Sequence, residues 1–94
     1  MGEVVVIEET FEVLNERGLH ARPVTRIAQT ASRYRCEVSL ARDGQQANAK
    51  SVMGMLMLCC HRGASVTVRA QGDDAREAVD AIGALFADRF GEDP

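Results

Sequence analysis

The sequence predicts an α+β protein: a four-stranded antiparallel sheet with three helices on one face, in the order β-α-β-β-α-β-α. Three observations carry this prediction. Apolar residues alternate with polar ones in several short segments, the period of a half-buried strand. Two other segments repeat apolar residues at helical spacing. Turn and cap residues punctuate the boundaries, and the connections are hairpin-like, which favours an antiparallel sheet covered on one side.

The elements follow in order. Glu3 to Asn15 reads as a strand, with Val4-Val5-Val6-Ile7 and then Phe11 and Val13 alternating with Glu12. Asn15 to Gly18 makes a turn. From Ala21 to about Arg33, the residues Ala21, Val24, Ile27, Ala28 and Ala31 mark an amphipathic helix. Cys36, Val38 and Leu40 alternate with Glu37 and Ser39 as a second strand. Asp43-Gly44 signals a hairpin into a short polar strand over 45–49. Ser51 fits the N-cap of a short helix that runs through the apolar stretch Val52 to Cys60 and ends at His61-Arg62-Gly63. Val66, Val68 and Ala70 alternate with Thr67 and Arg69 as the fourth strand. Gly72-Asp73-Asp74 turns into the last helix, where Asp74 and Glu77 resemble a capping box. Ala75, Ala78, Val79, Ile82, Leu85, Phe86 and Phe90 share the inner face of that helix, and 91–94 reads as a frayed acidic tail.

Ninety-four residues suit one compact domain, 1–94, too small for two independent cores. No apolar stretch reaches the roughly 18 residues of a bilayer span. Met1-Gly2-Glu3 lacks the basic start of a secretory signal. Glu3 and the strand-like residues behind it argue against myristoylation of Gly2. A cytoplasmic location without membrane insertion is expected. Three cysteines, Cys36, Cys59 and Cys60, form no disulfide framework. Cys59-Cys60-His61 has no Cys-x-x-Cys pair elsewhere to complete a metal site, so it reads as packing at a helix end. No nucleotide-binding glycine loop is present, and no cofactor is expected.

The net charge of −3 is not that of a nucleic-acid binder, yet Arg17, Arg22, Arg26, Arg33 and Arg35 lie in one stretch free of acids. That basic run reads either as a solvated helix surface or as the place where an acidic partner protein docks. A single-stranded RNA site would want aromatic stacking, and the region offers only Tyr34.

Gly18-Leu19-His20-Ala21-Arg22-Pro23 places a histidine and an arginine at the start of the first helix. The first N–H groups of a helix lack intrahelical partners and sit at the positive end of its dipole, which suits an anion. A neutral imidazole is nucleophilic near pH 7, and a guanidinium fork fits phosphate oxygens. Taken alone, His20 could equally be an ordinary surface or capping residue.

The hexapeptide resembles the active-site loop of the histidine-containing phosphocarrier protein (HPr) family of the bacterial phosphotransferase system. The element order matches that family's open-faced β-sandwich over about residues 11–90, with about 1–10 extending the first strand at its N-terminus. Lys50-Ser51-Val52-Met53-Gly54 resembles the family's second signature, in which a serine at a short helix start is a regulatory phosphorylation site.

The resemblance implies a phosphocarrier, an intermediate of phosphoryl transfer rather than an autonomous enzyme. Phosphate would pass from phosphoenolpyruvate through enzyme I to His20 and on to an enzyme IIA-type acceptor, with Arg22 stabilising the transferred charge. A kinase/phosphorylase acting on Ser51 is a further implied partner, and a monomer suits a relay.

Val24 and Thr25, together with Val52, Met53 and Leu56, are the candidate docking residues, because the short apolar helix cannot bury all its side chains. Val24 stands where many relatives carry alanine, and Cys59-Cys60 replaces small residues. Ala84-Leu85-Phe86 and Phe90-Gly91-Glu92-Asp93 look like the nitrogen-related branch (NPr), whereas the Ser51 segment looks like the sugar-transport branch. A regulatory phosphorelay without sugar transport and a non-catalytic HPr-like binding regulator are the alternative functions. Intact His20 beside Arg22 argues against the second.

Overall fold

The structure, a computed structural model, describes residues 4–92. Seven elements follow the expected order: β1 (Val6–Glu12), α1 (Ala21–Ala31), β2 (Glu37–Arg42), β3 (Gln45–Asn48), α2 (Val52–Leu56), β4 (Ser65–Gln71) and α3 (Ala75–Ala87). A 3-10 turn over Arg89–Gly91 follows α3.

The strands form one antiparallel sheet in the order β1-β4-β2-β3. β4 runs between β1 and β2, pairing Val6 with Gln71 on one side and Glu37 with Gln71 on the other. β2 and β3 are a hairpin closed by Asp43 and Gly44. Both turn residues take positive φ, +49° and +80°. That is the hand of a two-residue turn matching strand twist, and Asp-Gly tolerates it.

Alternation along the strands sorts the two faces. Val38, Leu40, Val66, Val68 and Ala70 are buried beneath the helices, while Glu8, Thr10, Glu37 and Arg69 face outward. α1 contributes Val24, Ile27, Ala28 and Ala31 to the core, and α3 contributes Ala75, Ala78, Val79, Ile82 and Phe86. Met55 is the one fully buried residue of α2. Phe11 stacks on Phe86 at 5.3 Å between ring centroids, and Phe90 meets Phe86 edge-on at 5.0 Å. Among the described residues the opposite face of the sheet carries no helix and holds polar pairs such as Thr10 with Thr67 at 2.9 Å. No helix among the described residues is long and apolar enough to cross a membrane.

The structure differs from the sequence expectations in several places. α2 ends at Leu56, well short of His61. Leu58 and Cys60 are both buried while Cys59 between them is exposed, an alternation that a helix cannot produce. Beyond the helix end Cys59 takes φ +52°, and Arg42 donates to the carbonyls of Leu58 and Cys59 at 2.9 and 3.1 Å.

Asp74 stands at the N-cap of α3 but makes no side-chain cap bond. Its carboxylate accepts instead from the backbone N–H groups of Arg35 and Cys36, at 2.9 and 3.0 Å, and so pins the entry to β2. Phe90 lies beyond α3, in the 3-10 turn, with φ +56°, yet is fully buried. Positions 91 and 92 lie against the fold, Gly91 in that turn and Glu92 with side-chain contacts to Asn15 and His20. Met1–Glu3, with the start of the predicted first strand, and Asp93–Pro94 fall outside the described residues.

Candidate functional site

His20 is the N-cap of α1, with extended backbone (φ −81°, ψ −171°) and no side-chain cap bond. Its imidazole therefore projects from the helix end instead of folding back on it. The next N–H groups are those of Ala21 and Arg22, since Pro23 has none and Val24 already donates to His20 O at 3.2 Å. Neither of the two has a backbone acceptor among the described residues. They supply the positive helix end with two free donors.

The loop before His20 is held from both sides. Gly18 N–H donates to Asn15 O at 3.1 Å, and Leu19 N–H donates to Cys60 O at 2.8 Å. Gly18 has φ +69°, and a Cβ there would stand 2.5 Å from Cys60 O. Only glycine lets the loop lie this close to the chain after α2. Leu19 and fully buried Asn15 fasten the loop to the core.

A residue remote in sequence completes the site. Glu92 Oε2 lies 2.7 Å from His20 Nε2, and Asn15 Nδ2 donates to Glu92 Oε1 at 3.0 Å and to Gly18 O at 2.7 Å. A carboxylate only accepts, so Nε2 carries the proton of this bond. In the neutral ring the lone pair is then on Nδ1. Burial by itself raises the Glu92 pKa. The hydrogen bonds from Asn15 and His20, with the charges of protonated His20 and of Arg22, outweigh it and hold the carboxyl below its ordinary 4.5. The clamp is partly sheltered, with the His20 side chain 31% and the Glu92 side chain 14% exposed.

Arg22 is exposed, and its guanidinium makes no hydrogen bond or ion pair among the described residues. It stays available to an incoming anion. The five arginines of the basic run do not share one face. Arg26 turns to the C-terminal turn, donating to Phe90 O at 2.6 Å. Arg35 joins Lys50 and Arg69 around a cleft of about 440 Å³ on the open face of the sheet, lined also by Ser39 and Gln46 and not by His20.

Ser51 is the N-cap of α2, and its hydroxyl oxygen accepts from Gly54 N–H at 3.1 Å. α2 packs against α1. Of the candidate docking residues, Met53 is exposed, Val52 and Leu56 are half-buried, and Thr25 is exposed with its hydroxyl donating to Ala21 O at 2.7 Å. Val24 is corrected: it is fully buried on the inner face of α1 with Ile27 and Ala28, so it meets the core and not a partner. Met57 takes its place as an exposed apolar side chain. Its spacing of four from Met53 sets the two on one side of the short helix.

Asn15 and Glu92 had no sequence signal as site residues, Arg26 stood out only as one of the basic run, and Met57 only as part of the apolar stretch. Asn15 looked like a turn former and Glu92 like part of an acidic tail. Among the described residues no cluster of three His, Cys, Asp or Glu side chains could hold a metal.

At the edge of an open-faced sheet, then, His20 stands at the N-cap of α1 with Nε2 on a carboxylate and an unpaired Arg22 two residues on. The family model described as "PTS HPr component phosphorylation site" matches residues 7–88. The chain belongs to the HPr family of phosphotransferase-system phosphocarriers. It is 40% identical over 87 residues to the phosphocarrier protein HPr of Cupriavidus necator, covering 93% of this chain and 98% of the relative. It is 38% identical over 88 residues to HPr of Xylella fastidiosa, covering 94% and 99%. The crystal structure of HPr-C-His from Thermoanaerobacter tengcongensis superposes with a TM-score of 0.90 at 40% identity, covering 94% of this chain and 99% of that one.

Proposed function

We propose that this protein accepts a phosphoryl group from phospho-enzyme I on Nδ1 of His20 and passes it to an enzyme IIA-type acceptor. The observation that carries this reading is the 2.7 Å bond from Nε2 to Glu92, which leaves Nδ1 as the nucleophilic nitrogen. In the first step the Nδ1 lone pair forms a bond to phosphorus, and the bond from phosphorus to the donor breaks with its electron pair going to the donor. In the second step the acceptor's nucleophile attacks phosphorus, and the pair returns to Nδ1. The ring's positive charge in the phosphorylated state is balanced by Glu92. Arg22 and the N–H groups of Ala21 and Arg22 face the transferred oxygens.

Thr25, Val52, Met53 and Leu56, joined by Met57, form the docking surface beside the site. Ser51 is the regulatory phosphorylation site, acted on by a kinase/phosphorylase. A phosphate there would put charge next to an apolar docking patch and weaken binding to acidic partners by repulsion and desolvation. One accessible His20 per encounter suffices, so a monomer in the cytoplasm does the work. Phe90 and Glu92 have local tasks in packing and in holding His20. Their likeness to the nitrogen branch therefore does not choose between a sugar-transport and a regulatory relay.

Intact mass after incubation with phosphoenolpyruvate and the cognate enzyme I, for wild type and His20→Ala, tests the reading. An acid-labile phosphoryl adduct on wild type alone is expected. No adduct in the presence of active enzyme I would overturn it in favour of a binding regulator.

A further inference from the structure

The Glu92 carboxylate reaches His20 from the short 3-10 turn that follows α3. Arg89 and Phe90 both take left-handed backbone, φ +54° and +56°, which costs non-glycine residues energy. The turn has its own backbone bonds, Gly91 N–H to Asp88 O at 3.0 Å and Glu92 N–H to Arg89 O at 2.9 Å, and two further contacts tie it to the rest of the fold. Phe90 is buried against Phe86, and Arg26 of α1 donates from Nη1 to Phe90 O at 2.6 Å. Arg26 is half-buried, and Gly91 packs so closely that a Cβ there would stand 3.1 Å from Nη1. The guanidinium is therefore wedged against the two residues that immediately precede Glu92.

We infer that Arg26 is a positioning residue for His20, fastening the C-terminal turn to α1 so that Glu92 stays on Nε2. Arg26 and His20 belong to the same helix and its cap, so the clamp is referenced to the element that carries the nucleophile. Without the Arg26 bond the turn loses its one side-chain hydrogen bond to α1, and the Glu92 carboxylate is held only by Asn15 and His20 themselves. The inference deepens the phosphocarrier reading and rests on it for its effect on transfer. The geometric part stands on its own.

The experiment measures two things on wild type, Arg26→Met, Arg26→Lys, Glu92→Gln and the Arg26→Met/Glu92→Gln double variant. Methionine keeps an aliphatic stem and removes the donor, while lysine can still donate to Phe90 O.

The first readout is the titration of the Glu92 side-chain carboxyl followed by carbon NMR, which needs no phosphoryl chemistry. Arg26→Met should move the Glu92 midpoint up towards the ordinary carboxylate value, and Arg26→Lys should restore most of the wild-type midpoint. An unmoved midpoint in Arg26→Met overturns the inference even if His20 is phosphorylated normally.

The second readout is the rate of phosphoryl uptake from phospho-enzyme I. Arg26→Met should slow it by about tenfold, less than the roughly hundredfold that a 1 Å misplacement of a reacting group can cost. In the Glu92→Gln background the same change should cost less than about twofold, because the residue it acts through is already gone. An equal loss in both backgrounds would make Arg26 a docking cation and refute its positioning role. If wild type takes up no phosphate, the phosphocarrier reading fails, while the titration still decides whether Arg26 holds Glu92.

Discussion

Replacing Gly18 by alanine tests how the His20 loop is built. Two costs follow from the geometry. Alanine at φ +69° pays about 1–2 kcal/mol for left-handed backbone. Its Cβ would also lie 2.5 Å from Cys60 O and 3.0 Å from His61 Cα, which are backbone atoms that cannot swing away as a side-chain end can. Relief requires the two strands of chain to part, and that stretches the Leu19 N–H bond to Cys60 O, now 2.8 Å. Leaving a buried donor unsatisfied costs about 1–3 kcal/mol. The sum is about 2–5 kcal/mol, and each kcal/mol moves the melting temperature of a domain this size by about 4–8 °C. Thermal unfolding by circular dichroism should therefore show a fall of about 10 °C or more. Gly44→Ala is the control: φ is +80° but nothing lies within 4 Å of its Cβ, so it pays the backbone cost alone. Gly18→Asn separates the terms further, since asparagine tolerates left-handed backbone yet still carries a Cβ. It should remain nearly as damaging as alanine. If Gly18→Ala melts no lower than Gly44→Ala, the close approach to Cys60 does not constrain the loop and the reasoning is wrong.

Three further outcomes are expected. Met53→Asp should leave stability within about 0.5 kcal/mol, because the side chain is 69% exposed. It should weaken binding to enzyme I by about tenfold or more in calorimetry, and unchanged affinity would remove Met53 from the docking surface. At about pH 8 one thiol of the native protein should react quickly with iodoacetamide. That thiol is exposed Cys59, because burial, with help from the Asp74 hydrogen bond, pushes Cys36 up to about 11, and burial also raises Cys60. Peptide mapping that finds Cys36 or Cys60 labelled first would contradict this packing. Glu92 has a folded pKa below its ordinary 4.5, so its clamp stabilises the fold above that value and is lost as pH falls through the folded pKa. The gap in melting temperature between wild type and Glu92→Gln should accordingly be full near neutral pH and close below about pH 4.5. A gap that persists in acid would mean that the carboxylate charge is not what Glu92 contributes.

Much of this molecule was legible because its signals are local. The alternation at Val66, Val68 and Ala70 became β4, and Asp43-Gly44 became the β2–β3 turn with both residues at positive φ. Ser51 caps α2 as its position before an apolar run implied. His20 and Arg22 were visible because their chemistry lies within three residues of each other. What failed was non-local. The apolar stretch 52–60 has one composition but two structures, and only the burial of Leu58 and Cys60 on the core ends the helix early. Asp74 had a local use as a cap and took a distant one on Arg35 and Cys36. Val24 was read as a docking residue from its place beside the site, although its spacing with Ile27 and Ala28 already put it on the inner face. Glu92 could not be found by any window, because its partner is 72 positions away and only the packing of α3 beside α1 brings it there.

That separation has a consequence for the relay. His20, the carbonyl that holds its loop and the carboxylate on its ring come from the start of α1, the chain after α2 and the turn after α3. No fragment lacking the C-terminal turn contains the clamp, so a partly folded chain presents His20 without a fixed ring. The proton on Nε2 is then free to exchange between the two nitrogens, and nucleophilic lone pair and ring direction are both lost as defined quantities. Holding a phosphoryl group only loosely also fits this construction. The helix end offers two free N–H groups, because Pro23 removes the one that a different residue at its position would have supplied. Arg22 adds charge without being locked to a neighbour. In the proposed relay, few fixed donors and an unpaired cation would hold the phosphoryl group without trapping it, as onward transfer to an acceptor requires.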